Sequence, residues 1–496
     1  MVKEELVTYL NQSFGLIPTE GQATVLRHLA AFLLSKKPNP TYILRGYAGT
    51  GKTTLVTTLV RTLPEIGMDY VLMAPTGRAA KVLGSYTQRY ASTIHKKIYQ
   101  VQAFPDGSLR MVRAQNKHKH TLFIVDEASM IGEEQEYGTV GMSQRGSLLD
   151  DLLEYVFEGE QCRLLLIGDT AQLPPVGNDE SPALDIDYLQ SQFPLTIATF
   201  ELTEVKRQAL ESGILSNATH LREELTDNKM TYQLPIFDLN FNDTKRIDPE
   251  TFEEMLYQAF DAEHSNDSVI VCKSNKRANL FNQAIRSRIL NIEGEIATGD
   301  KLMIVKNNYF WSDGNKEISF IANGDMAEIQ KIAHYEDMYG FRFADVELAF
   351  PDYPDAPNLD VKILLDTLNS NSASLSEEEN TRLIQAIEAD YMDIPNRRER
   401  YKAMKQNPWF NALQVKFAYA LTCHKTQGGQ WKNVFVDSSL NLKDELEKED
   451  LRWLYTAVTR AQEKVFFVNF KEEFFLKSSD SGKFYDFHGL ADEHGH

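Results

Sequence analysis

The first half of the chain repeats one pattern, a short apolar run that stops abruptly at small, polar or acidic residues. Residues 42–44 lead into a glycine loop, 71–73 into Ala-Pro-Thr-Gly, 122–125 into Asp-Glu and 164–167 into Gly-Asp. Continuous apolar runs bounded by breakers predict strands buried on both faces of a parallel sheet. In such sheets ligands lie beyond the carboxyl ends of the strands, where these polar clusters fall. A second set of runs at 269–272, 417–421, 434–436 and 465–468 predicts a second lobe of the same α/β kind.

Residues 299–410 break this rhythm. Alternating pieces across 299–350, with turn signals at Ser312-Asp-Gly314 and Asn323-Gly-Asp325, predict a small antiparallel barrel. Around 376–392 the pattern turns helical. Ser376 and Glu379 form a capping box, and Leu383, Ile384, Ile387 and Tyr391 share one face. Strand material resumes after Trp409, so 299–410 reads as an insertion into the second lobe, and the polar residues from 478 onward as a tail. Between the first two sets, residues 99–113 read as two strands around an Asp106-Gly107 turn.

The 496 residues, 42% hydrophobic and 25% charged, have material for several cores, which excludes disorder throughout and a disulfide scaffold. Cys162, Cys272 and Cys423 are few and dispersed, so a Cys-based zinc site is not expected; His488, His494 and His496 in the tail make no metal site. The start is charged and no run approaches ~20 apolar residues, so a soluble cytoplasmic protein without membrane contact is expected. A net charge of −19 argues against a surface that wraps nucleic acid all round. Within 71–120, however, nine Lys and Arg face only Asp106, a local +8 that predicts a groove tracking phosphates.

Gly46-Tyr-Ala-Gly49-Thr-Gly51-Lys52-Thr53 matches the phosphate-loop pattern at every fixed position, after a predicted strand. Its glycines let backbone N–H groups turn toward phosphate oxygens at a helix N-terminus. Lys52 is expected to reach the β and γ phosphates, and the Thr53 hydroxyl to ligate Mg²⁺. Asp126 would hold the same Mg²⁺ and Glu127 would polarise the attacking water. These features alone leave kinases, GTPases, transporters and motors open.

Further along stand Ala74-Pro-Thr-Gly-Arg-Ala-Ala80, Thr93-Ile-His95, Asp126-Glu-Ala-Ser129, Gly168-Asp-Thr-Ala-Gln172-Leu-Pro-Pro-Val-Gly177, Leu421-Thr-Cys-His-Lys-Thr-Gln-Gly428 and Tyr455-Thr-Ala-Val-Thr-Arg460. In this order they resemble superfamily 1B DNA helicases of the RecD/Dda type, over roughly residues 15–470. The resemblance implies two RecA-like P-loop lobes holding ATP and Mg²⁺ between them, and 5′→3′ movement on single-stranded DNA. It implies catalytic roles for Lys52, Glu127, Gln172, Arg207 and Arg460. Nucleotide contacts fall on Gln22 (to adenine), Gly46, Ala48, Gly49, Thr50, Gly51, Lys52, Thr53 and Thr54, and metal ligation on Thr53 and Asp126. DNA contacts fall on Pro75, Thr76, Thr93, His95, Thr422, His424, Lys425 and Gln427, with Phe104 on a duplex-splitting pin. The implied domains are 1–197 with a hairpin insertion at about 98–118, a second lobe of 198–298 and 411–477, and an SH3-like barrel with helices at 299–410. Single-stranded and forked duplex DNA are the implied substrates, for a monomer. Single-strand binding protein or subunits of a recombination complex are further partners. The alternative is the motor subunit of a recombination exonuclease without a nuclease site of its own.

Overall fold

The computed structural model describes all residues except 1, 104–108, 133–146, 206–210, 227–230, 235, 261–266, 313–317, 319, 439–444 and 477–496. Phe104, Arg207 and the tail from 478 therefore lie outside the described residues.

The chain opens with α1 (Lys3–Phe14), α2 (Glu20–Leu33), β1 (Pro40–Gly46), α3 (Lys52–Thr62), β2 (Asp69–Ala74), α4 (Gly77–Thr87), β3 (Ala91–Thr93) and α5 (Ile94–Ile98). A hairpin of β4 (Tyr99–Ala103) and β5 (Leu109–Arg113) follows, then β6 (Thr121–Val125), α6 (Leu148–Glu158), β7 (Arg163–Gly168), α7 (Ile186–Gln192) and β8 (Thr196–Leu202). The strands outside the hairpin form one sheet, ordered β3-β2-β6-β7-β1-β8, with every pair parallel. Alternation along β1 supplies both faces. Tyr42 and Leu44 pack with Leu10, Leu55 and Leu59 on one side, and Ile43 with Phe123, Leu152 and Val156 on the other. Each such side chain contributes about 1.5–3 kcal/mol on full burial. Because β8 pairs with β1 as far as Leu202, this sheet runs past the expected limit of 197.

The second lobe contains α8 (Gly213–Thr226), β9 (Tyr232–Gln233), β10 (Thr244–Ile247), α9 (Pro249–Ala259), β11 (Ser268–Cys272) and α10 (Asn275–Ala284). The chain then leaves for β12 (Lys301–Ile304), β13 (Met326–Met338), β14 (Phe341–Ala349), β15 (Leu359–Leu364), α11 (Glu377–Ala389), α12 (Arg397–Met404) and β16 (Leu413–Phe417). It returns through β17 (Ala420–Thr422), α13 (Cys423–Thr426), β18 (Trp431–Asp437), β19 (Glu445–Leu446), α14 (Lys448–Val458) and β20 (Ala461–Val468). The second sheet is also wholly parallel, ordered β10-β20-β18-β11-β17, while β9 and β19 form a small antiparallel pair.

Strands β12 to β16 close into a barrel that is antiparallel except where β15 pairs parallel with β16, which departs from the wholly antiparallel barrel expected. Two boundaries differ from expectation. The barrel takes its last strand from Leu413–Phe417, beyond 410, and the run at 417–421 is divided, its first residue ending β16 and the remainder feeding β17. A continuous apolar run carries no mark of where one sheet hands over to another. Helix α11 starts at the Ser376 capping box and buries Leu383 and Ile387 against Phe341, Phe343 and Leu364 of the barrel.

A buried ion pair seats the barrel on the second lobe. Arg286, on a π-helical turn after α10, forks onto Asp300 through Nε at 2.8 Å and Nη2 at 2.9 Å. Asp300 also accepts from the Tyr419 hydroxyl at 3.1 Å and the Ala297 N–H at 2.7 Å. Asp300→Ala strands the guanidinium away from water and is expected to cost roughly 3–5 kcal/mol, read from urea denaturation. An unchanged midpoint would contradict this.

Candidate nucleotide cleft and nucleic-acid groove

The phosphate loop joins β1 to α3, with Gly49 at φ 77° and Gly51 at φ 92°. A Cβ on Gly51 would lie 2.4 Å from Gln22 Nε2, so glycine is required there on two counts. Thr50 is buried and its hydroxyl donates to the Tyr47 carbonyl at 2.8 Å. Lys52 Nζ donates to the carbonyls of Gly46 at 2.5 Å and Tyr47 at 3.0 Å, folded along the loop it serves. Thr53 is exposed at the head of α3, and Thr54 is half-buried behind it.

Gln22 stands beside this loop, but both ends of its amide are engaged by the chain. Its Oε1 accepts the Thr19 N–H at 3.0 Å, closing the capping box of α2, and its Nε2 donates to the Thr50 carbonyl at 2.9 Å. At 1% exposed, it braces the phosphate loop. Contact with a base would require that amide to share or exchange these bonds.

Strand β6 ends at Asp126 and Glu127. Asp126 Oδ2 accepts from the Tyr86 hydroxyl at 2.6 Å and its Oδ1 from the Glu127 N–H at 2.9 Å, so the carboxylate is held from both sides. Glu127 adopts φ 54°, ψ 37°, a left-handed conformation that costs a non-glycine residue roughly 1–2 kcal/mol. Burial pushes its carboxyl above the ordinary range; Arg460 pulls it back, Asp126 adds to the rise, and Lys52 and a hydrogen bond from Gln172 oppose it. Lys52, Asp126, Glu127, Gln172 and Arg460 thus meet in one cleft between the sheets. Gln172 Oε1 is buried there without a hydrogen-bond partner. Arg460 is held by its own lobe, with Nε donating to the Thr456 carbonyl at 3.0 Å and Nη1 to that of Gly429 at 3.3 Å.

The lobes meet along α14. The Tyr455 hydroxyl donates to Asp169 Oδ2 at 2.7 Å and accepts the Ala48 N–H at 2.8 Å. Thr456 Oγ1 accepts the Leu173 N–H at 2.8 Å, and Gln427 Nε2 donates to the Leu173 carbonyl at 2.6 Å. Nearby, Arg78 lies 3.7 Å over the Trp431 ring and donates to the Gln430 carbonyl at 3.2 Å. Gly428, at φ 71°, lets the second lobe abut α4, since a Cβ there would stand 2.7 Å from that of Ala79. Tyr455 and Asp169 were absent from the expected site residues, although both lie inside motifs that marked their neighbours.

Across the top runs a groove of about 350 Å³ that gathers Pro75, Thr76, Thr93 and His95 from the first lobe with His424, Lys425 and Gln427 from the second. The Thr76 and Thr93 hydroxyls cap α4 and α5, accepting N–H groups of Ala79 at 3.2 Å and Lys96 at 3.1 Å. Lys425 reaches Asn323 of the barrel at 2.9 Å; burial lowers its basicity and that of His424. Thr422 lines a separate cavity beside Lys425. Asn307, Phe320 and Asn323 make the barrel a third wall, which the sequence marked only as a turn.

The basic stretch 71–120 does not form the single phosphate-tracking face expected of it. Lys81 pairs with Asp352 at 3.0 Å, Arg113 with Glu154 at 3.1 Å and Lys119 with Glu160 at 2.6 Å, while Arg78 stacks on Trp431. Partners distant in sequence neutralise charge that a local count leaves standing.

Two parallel sheets, a phosphate loop and a carboxylate-arginine cleft between them define a two-lobed α/β protein of the P-loop kind. Residues 18–233 match an AAA domain and residues 417–468 a UvrD-like helicase C-terminal domain. The ATP-dependent RecD2 DNA helicase of Deinococcus radiodurans is 35% identical over 201 residues, covering 40% of this chain and 23% of the relative. The ATP-dependent DNA helicase dda of Enterobacteria phage T4 is 24% identical over 478 residues, covering 91% of this chain and 99% of the relative. The chain spans about a quarter of RecD2 and, at 36%, about a third of an uncharacterised Methanocaldococcus jannaschii relative. A Bacteroides Pif1 helicase structure with ADP-AlF3 and single-stranded DNA aligns over 95% of this chain and 96% of that one, at 15% identity and a TM-score of 0.45. The family matches and the RecD2 and Dda relatives bear out the resemblance to superfamily 1B helicases of the RecD/Dda type.

A carboxyl raised in the folded state keeps its proton after the unfolded chain has lost it. Stability attributable to Glu127 is therefore greatest below the ordinary carboxylate range and falls as pH climbs through the raised value. Glu127→Gln is expected to remove this decline, so that the variant gains stability relative to the parent between pH 4 and pH 8 (urea midpoints). Parallel pH profiles would contradict the buried, raised carboxyl.

Proposed function

We propose that this protein is an ATP- and Mg²⁺-dependent DNA helicase that translocates 5′→3′ along single-stranded DNA and separates forked duplexes. One observation carries this reading, the shared wall between cleft and groove. Gln172, beside Glu127 in the cleft, lies three residues before Pro175 in the groove, and Gln427 of the groove holds the Leu173 carbonyl between them. Any change at the terminal phosphate therefore reaches the groove through a few covalently linked residues.

In this reading Lys52 and the loop N–H groups hold the phosphates, and Thr53 with Asp126 holds Mg²⁺. One hydroxyl and one carboxylate are oxygen donors of the kind this ion takes, and Tyr86 keeps the carboxylate oriented. When bound there, the ion would offset phosphate charge. Glu127 takes a proton from the attacking water, Gln172 orients it, and Arg460, with Arg207, meets the charge spreading over the equatorial oxygens. Grips on both lobes, tightened and released in turn as the cleft closes and opens, give net movement; the direction follows the RecD/Dda resemblance. The five-stranded barrel is assigned as SH3-like and, with α11 and α12, guides the strand. The β4–β5 hairpin is assigned as the pin, with Phe104 stacking on a base, a contact worth about 1–3 kcal/mol.

ATP consumption is expected to rise when single-stranded DNA is added, and 5′-tailed duplexes to separate while 3′-tailed and blunt ones do not. Lys52→Ala should abolish hydrolysis yet still bind the strand. Nucleotide turnover indifferent to DNA would end this reading, and separation from 3′ tails alone would reverse the direction. Phe104→Ala should hydrolyse normally and unwind poorly; normal fork separation by that variant would remove the pin.

A further inference from the structure

Tyr455 stands on α14, five residues before Arg460, and its hydroxyl is occupied at both ends by the first lobe. It gives its proton to Asp169, on the loop after β7, and accepts the N–H of Ala48, on the phosphate loop. At 1% exposed, the residue has its ring packed in the second lobe's core. Burial raises the Asp169 carboxyl, and the Tyr455 bond is among the contacts that oppose the rise. At the next residue of α14, the Thr456 carbonyl holds Arg460 Nε while the Thr456 hydroxyl holds the Leu173 N–H. The helix that presents the arginine is thus fastened to the phosphate loop and to the loop after β7.

We propose that Tyr455 is a positioning residue which, by pinning α14 to the phosphate loop and to Asp169, sets where Arg460 stands relative to Glu127. This rests on the reading that Arg460 serves ATP hydrolysis. Phenylalanine at 455 keeps the ring but leaves the Ala48 N–H and Asp169 Oδ2 without a partner, and α14 shifts to relieve them. Displacement of about 1 Å is enough to lower turnover roughly 100-fold in a site built on alignment. Tyr455 acts through the arginine, so its loss falls on kcat and leaves KM for ATP nearly unchanged.

The test is a double-variant cycle on the full chain, measuring steady-state ATP hydrolysis with saturating oligo-dT for wild type, Tyr455→Phe, Arg460→Ala and the two combined. Tyr455→Phe should lower kcat by about 10- to 100-fold with KM changed by less than about threefold. The combined variant should be no slower than Arg460→Ala, because the second loss acts through the first. Losses that multiply, or wild-type kcat in Tyr455→Phe, overturn the proposal. Should Tyr455→Phe fail to show a cooperative melt, Asp169→Asn takes its place in the same cycle, and losses that multiply there overturn the proposal equally. A wild-type chain that hydrolyses no ATP defeats the functional reading and this inference together; a DNA-stimulated wild type with an unaffected Tyr455→Phe defeats the inference alone.

Discussion

The contact on which the rest of the molecule depends is the insertion of α14 against the loop that follows β7. Asp169 is buried at that loop, where an ionised carboxylate without donors would cost several kcal/mol. Its donors are the Ala171 N–H of its own lobe at 3.0 Å and the Tyr455 hydroxyl of the other. The first lobe therefore completes its hydrogen bonding only when the second is docked, and docking delivers Arg460 to the cleft in the same act. Leu173 repeats the relation, its N–H and carbonyl both meeting side chains of the second lobe. A few hydrogen bonds at roughly 1 kcal/mol each are strong enough to define a docked arrangement and weak enough for nucleotide binding to rearrange it.

Much of the fold was legible because burial on both faces leaves a plain mark. The runs at 42–44, 71–73, 122–125 and 164–167 lie within strands of one parallel sheet. The capping box at Ser376 starts α11 where the spacing of Ser and Glu placed it. Handovers between sheets were not legible. Ala418 and Tyr419 are as apolar as their neighbours, and what separates β16 from β17 is that one pairs with β12 and the other with β11. The sixth strand of the first sheet, β8, lies at a sheet edge with all but its last residue partly or fully exposed, and like the short β3 it lacks the uniform apolar run of the other four.

The candidate site divides along similar lines. Residues whose chemistry requires a fixed spacing, such as Gly51, Lys52 and Thr53, or Asp126 and Glu127, announced themselves. Those that act through shape did not. Tyr455 sits in the same motif as Arg460, yet a tyrosine among apolar residues looks like core, and only its position shows that the hydroxyl faces another lobe. Gln22 is the converse. The helicase resemblance gives it contact with a base, and in the structure a capping box and the Thr50 carbonyl engage both ends of its amide. Charge was the least transferable signal, because Lys81, Arg113 and Lys119 find carboxylates that no local window contains.

Gly428 and the Arg78–Trp431 stack lie together where α4 meets the second lobe. With a methyl's breadth already lacking between Gly428 and Ala79, the lobes cannot approach further at that spot. They can tilt about it or part. The molecule has in effect a fulcrum at the lip of the groove, and a small rotation there is converted into a larger displacement at whatever lies farther out along each arm.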